Sequence, residues 1–166
     1  MTNLARYGKV IAMSPTIQTV QFAEAKENLS RFVSTVAREH APRILERGHG
    51  QESILALPLA DLPAALASCA FDAKVAFGDS VVATLPQFGL VASSPDFDGA
   101  IDALVDELTE YSADFFSDFD YYRHTERVTH LPWLLRFALT EPAERRSLLL
   151  GDAERPVDEA LTAAVR

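Results

Sequence analysis

Four histidines, a single cysteine and a surplus of carboxylates are the side chains of this 166-residue chain that could do chemistry. A metal site needs ligands at spacings that converge. Glu39 adjoins His40, and His124 stands six residues before His130, off a common helical face. There is no His-Glu-x-x-His run and no cysteine pair, so no metal or other cofactor is expected. Cys69 has no flanking base and reads as a small buried hydrophobe. Asp114, Asp118 and Asp120 alternate with phenylalanines, but lack the glycine and terminal glutamate of a calcium loop. Neither a Gly-x-Ser-x-Gly turn nor a phosphate loop is present. No nucleophile, base and orienting group assemble, and an enzyme is not expected.

The more telling residues suit contact rather than reaction. Residues 115–122 read Phe-Phe-Ser-Asp-Phe-Asp-Tyr-Tyr, and 131–137 read Leu-Pro-Trp-Leu-Leu-Arg-Phe. Aromatic anchors rimmed by acids fit capture of a basic protein. Leu134, Leu135 and Phe137 read as core. For Tyr121, Tyr122 and Trp133, core packing and partner contact both stand open. With Asp118 and Asp120 these three form the candidate partner-binding set. Charge agrees. Residues 1–70 hold seven bases and six acids, whereas 71–166 hold eight bases and eighteen acids, or +1 against −10. The acidic part repels nucleic acid and attracts a basic partner; solubility alone would also account for it.

The elements that would position these residues follow from periodicity. Residues 1–15 have no period and are expected to be a flexible lead, with Met13 a second possible start. Residues 16–20 alternate as a short strand. Phe22, Ala25, Leu29, Phe32, Val33 and Val36 then form one helical apolar stripe, with Pro42 as the stop. Residues 43–47 and 53–57 read as two strands of a hairpin closed by Gly48-His49-Gly50, and 59–68 as a short helix. Beyond Phe71, strands are expected at 74–77, 80–85 and 88–92. Ser94-Pro95-Asp96 then opens an acidic helix, with Ser94 as the hydroxyl cap. That helix buries Phe97, Ile101, Leu104, Val105, Leu108 and Phe115 and exposes Asp98, Asp102, Asp106, Glu107, Glu110 and Asp114. Further helices are expected at 131–140 and 142–150, then a polar tail over 151–166. The fold class is α+β: a βαββα unit over 16–68, and an acidic α+β unit over 71–150 with a small antiparallel sheet and two to three helices. No apolar run is long enough to span a bilayer, and no secretory pattern is present. A single cysteine suits a reducing cytoplasm.

The helix segment Phe22-Ala-Glu-Ala-Lys-Glu-Asn-Leu29 and the hairpin approach His40-Ala-Pro-Arg-Ile-Leu-Glu-Arg-Gly-His-Gly50 resemble the Phd/YefM family of type II antitoxins, whose helix carries a Glu-Ala-Arg-x-Asn-Leu type motif. The resemblance covers about a third of the chain. More loosely, residues 85–100 resemble a HicB-like pattern. They also resemble the C-terminal part of actinobacterial Phd-like antitoxins paired with RelE-type toxins.

The resemblance implies a homodimer that represses its own operon by binding operator DNA, and a C-terminal domain that neutralises a basic, RelE-like ribonuclease toxin. It places Lys26 at the family's helix arginine, Arg47 at a hairpin arginine that supports operator binding, and Gly50 at the turn glycine. Gln21 and His49 complete the candidate DNA-binding set. His49 would reach a phosphate when protonated. Three departures weaken the electrostatics of DNA contact. Ala23 replaces a capping residue, Lys26 replaces a forked guanidinium, and Glu46 and Glu27 set carboxylates beside the two cations. They motivate a second expectation, a dimeric interaction scaffold that does not bind DNA.

Overall fold

A computed structural model describes residues 17–48 and 50–151. The expected lead, Thr16, His49 and the tail beyond Gly151 lie outside the described residues. The chain divides into two compact units, one ending at Leu62 and the other beginning at Pro63.

The first unit opens with strand β1 (Gln18–Gln21), followed by helices α1 (Phe22–Glu27) and α2 (Leu29–Arg38), then strands β2 (Arg43–Arg47) and β3 (Glu52–Ala56). A 3-10 turn over Leu59–Asp61 leads into helix α3 (Leu62–Ala65). The sheet order is β1-β2-β3: β1 runs parallel to β2 in the register Gln21↔Glu46, and β2 runs antiparallel to β3 in the register Arg47↔Glu52. This is the expected βαββα order. Parallel pairing of β1 with β2 requires a crossover, which α1 and α2 supply. The expected single helix is two. Asn28 leaves helical geometry (φ −122°, ψ 42°) while its N–H still bonds to the Glu24 carbonyl. Asparagine competes locally with the helix, so the break falls there without disturbing the apolar period. Helix α2 stops at Arg38, short of Pro42, and His40 turns the chain with φ 49°. In place of a helix over 59–68 there are only the 3-10 turn and the four-residue α3. Gly48 and Gly50 carry positive φ (63° and 87°) at the β2–β3 turn, a conformation without Cβ strain only for glycine.

The second unit is an antiparallel meander, β4 (Lys74–Phe77), β5 (Val81–Leu85) and β6 (Leu90–Ser94), with helix α4 (Phe97–Ser117) laid across β6 and β5. Val81, Ala83 and Leu85 alternate into the core, where they meet Ala100, Ile101, Leu104, Leu108 and Phe115. Asp96, not Ser94, caps α4: its carboxylate accepts from the Gly99 N–H at 2.8 Å. Ser94 is the last residue of β6, paired with Val81, and is therefore not at the helix entry. Helices α5 (Phe119–Tyr122), α6 (Leu131–Leu139) and α7 (Arg145–Leu150) close the core with Tyr122, Leu134, Phe137 and Leu149. The four-residue α5 was not expected. Arg146 pins α7 to α4 through Asp102 at 2.8 Å and through Asp98.

Candidate nucleic-acid and partner interfaces

In the first unit the hairpin does carry Arg47 outward. It is the last residue of β2, and its side chain is 69% exposed. Its Nη1 donates to Glu52 Oε2 at 3.5 Å, and the guanidinium lies 5.7 Å from the centre of the Phe22 ring. Both contacts are loose enough for an incoming phosphate to replace them. Lys26 sits in the last turn of α1, exposed and without an ion pair among the described residues. Gln21 ends β1, and its amide donates to Glu46 Oε2 at 3.3 Å. Strand alternation therefore sets Gln21 and Glu46 on one face of the sheet, and Arg47 and Glu52 on the other. The expected DNA-contact residues are thus not all on one face. Glu46 is engaged with Gln21 rather than with Arg47.

The apolar surface of this unit is unusual. Among the described residues only Ala25 and Val36 of its hydrophobic side chains are buried, whereas Leu29 is 60% and Ile54 65% exposed, with Phe22, Val33, Leu55 and Leu59 open as well. The face of α2 that shares a cleft with the sheet carries Asn28, Arg31, Phe32 and Thr35, a predominantly polar set at i, i+3, i+4 and i+7. Leu29 and Val33, members of the expected apolar stripe, are outside this cleft and exposed.

In the second unit the five expected partner-binding residues separate. Tyr121 is 62% exposed, and Asp118, at the α4–α5 junction, is exposed with no side-chain partner among the described residues. Asp120 is open but paired with Arg123 at 2.9 Å. Tyr122 is buried, and its hydroxyl donates to Asp114 Oδ2 at 2.5 Å. That bond, then burial, raises the phenol above its ordinary range. Trp133 is half-buried, and its indole N–H donates to the Ala70 carbonyl at 2.9 Å. Beside it Arg136 donates to the carbonyls of Ala67 and Cys69. Two residues outside the five-residue candidate set are also exposed: Phe116, whose ring is partly open against Phe115, and Glu110, which makes no ion pair among the described residues. The 3.6-residue period of α4 puts Asp106 and Glu107 on that outward side as well.

A second polar cluster lies inward. The Tyr111 hydroxyl and His130 Nδ1 are hydrogen-bonded at 2.7 Å, Phe88 meets the imidazole edge-on at 4.9 Å, and Arg127 lies over the Tyr111 ring. Burial, then the Arg127 charge, lowers His130 from its ordinary value, and burial raises Tyr111. No described helix is long and apolar enough to cross a membrane.

Comparison with known proteins agrees with this architecture. Residues 13–150 match the model of the PHD-like family, described as antitoxin of toxin–antitoxin, RelE/RelB systems, and the chain belongs to that family. It is an antitoxin by family. A crystal structure from Syntrophomonas wolfei subsp. wolfei, of the antitoxin part of a proposed toxin/antitoxin system, superposes with a TM-score of 0.73 at 25% identity, over 79% of this chain and 95% of that one. No curated protein matches the chain significantly.

Proposed function

We propose that this antitoxin acts in the cytoplasm as a homodimer. Its first unit binds operator DNA and represses its own operon, and its second unit neutralises a basic, RelE-like ribonuclease. The observation that carries the reading is the outer surface of α4 and α5. There Asp106, Glu107, Glu110 and Asp118, exposed and without an ion pair among the described residues, lie on the helices that carry the open rings of Phe116 and Tyr121. Carboxylates at phosphate-like positions compete with RNA for a basic surface, and the rings supply the desolvated anchor. The exposed apolar side chains Leu29, Val33, Ile54 and Leu55 support the homodimer, because each gains by burial against a second copy. A two-fold pair would present Arg47 twice, as a palindromic operator requires.

The test is growth. The product of the adjacent gene, expressed alone, should arrest growth, and co-expression of this chain should restore it. Tyr121→Ala together with Asp118→Asn should abolish the rescue while leaving the fold intact by circular dichroism. An innocuous neighbour would refute the reading.

Glu46 bonded to Gln21, and Glu27 beside Lys26, favour the second reading, a dimeric scaffold that leaves DNA alone. Mobility shift on the chain's own upstream region separates the two. Repression requires sequence-specific binding that falls steeply with salt.

A further inference from the structure

The polar cleft of the first unit has no role in the reading above. It has a volume of about 250 Å³ and lies between α2 and the β1–β2 side of the sheet. From α2 and its entry come Asn28, Arg31, Phe32 and Thr35; opposite them stand Gln18 and Arg43, which are partners in the parallel register. Arg43 is half-buried and uses one Nη1 to reach the Pro42 carbonyl at 3.0 Å. The rest of its guanidinium has no partner among the described residues, and Arg31 has none at all. The single carboxylate in the lining, Glu24, comes within ion-pair distance of neither. The half-buried Arg43 has bonding capacity that a bidentate anion would complete, and the exposed Arg31, lining the same cleft, adds a second positive charge.

We infer that Arg31 and Arg43 form a phosphate-binding site, with the Gln18 and Asn28 amides and the Thr35 hydroxyl placed to bond ester or sugar oxygens. The phosphate belongs either to the backbone of nucleic acid or to a free nucleotide. Glu24 sets a limit on affinity: it repels the phosphate and accepts only from a hydroxyl or amino group of the ligand.

The test uses the full chain and three probes: inorganic phosphate and adenosine 5′-monophosphate by calorimetry, and a duplex of the chain's own upstream region by fluorescence anisotropy. Arg31→Ala and Arg43→Ala should each weaken binding of both small probes about tenfold. Glu24→Gln should tighten it several-fold, a gain that misfolding cannot mimic. If the source is nucleic acid, each arginine variant also lowers the slope of log affinity for the duplex against log salt by about one. If the source is a free nucleotide, that slope is unchanged while the monophosphate response is lost. A chain that binds the monophosphate through these arginines but no duplex keeps this site and loses the repressor. Absence of small-probe binding, indifference of that binding to all three substitutions, or a fall in oligomer mass on Arg31→Ala would each overturn the assignment.

Discussion

His130 shows how one residue can tie acidity to stability. Its imidazole is partly buried against Phe88 and Tyr111, and Arg127 adds a nearby positive charge, so the neutral form is favoured in the fold. The unfolded chain has an ordinary histidine at this position, with a pKa of about 6.5. Between the depressed folded value and the ordinary one, the unfolded state binds the proton more readily, and stability rises with pH through that window. The contribution is fully present above the ordinary value and is lost as pH falls towards the folded one. Urea midpoints at pH 5 and pH 7.5 should therefore differ more for the native chain than for His130→Gln. Equal shifts in the two proteins would remove His130 as the cause. Residue types alone could not reveal this, because Tyr111 and His130 meet across nineteen positions. Composition likewise marked Tyr122 and Trp133 as aromatic and available. What removes them from the open surface are contacts eight and sixty-three residues away, with Asp114 and with the Ala70 carbonyl.

At the scale of elements, regular pieces were legible where one side of the pattern is fully satisfied within the unit. Strand β4 falls where alternation predicted it. The buried stripe of α4 includes Ile101, Leu104, Leu108 and Phe115, because the sheet beneath it selects one helical face. The pattern failed where a break or an outside partner intervenes. The stripe from Phe22 to Val36 keeps its period across Asn28, so periodicity cannot see that the helix is two. An amphipathic period reports that a face is apolar, not which surface covers it, so the stripe that includes Leu29 and Val33 does not tell core from open surface. The irregular stretch 66–71 is held by an element rather than by its own secondary structure: α6 offers Arg136 to the Ala67 and Cys69 carbonyls and Trp133 to Ala70. Charged donors to backbone carbonyls are worth about 1.5–3 kcal/mol each when partly buried. Arg136→Ala should speed amide exchange over 66–71 and shift Trp133 emission to the red, with exchange in the middle of α4 unchanged. Uniform acceleration across the unit would mean the contact is part of global stability instead.

At the scale of the whole molecule the two units differ in how much they can hold by themselves. Fourteen buried residues form the core of the second unit, and all lie between Phe71 and Leu149. Among its described residues the first unit buries only the hydrophobic side chains of Ala25 and Val36, and the open Leu29, Val33, Ile54 and Leu55 cannot repay the entropy of ordering it. A second copy of the same unit would supply the missing burial, in which case folding and association of this part are one equilibrium. Heating should then give two transitions. The lower midpoint should rise with protein concentration, since each tenfold increase adds about 1.4 kcal/mol to the assembled state, while the upper one should not move. Leu29→Asp should abolish the concentration-dependent transition, halve the mass in sedimentation, and leave the upper transition where it was. A single transition at a fixed temperature over a hundredfold range of concentration would mean that the first unit stands without a partner, and the apolar side chains it exposes would then need another explanation.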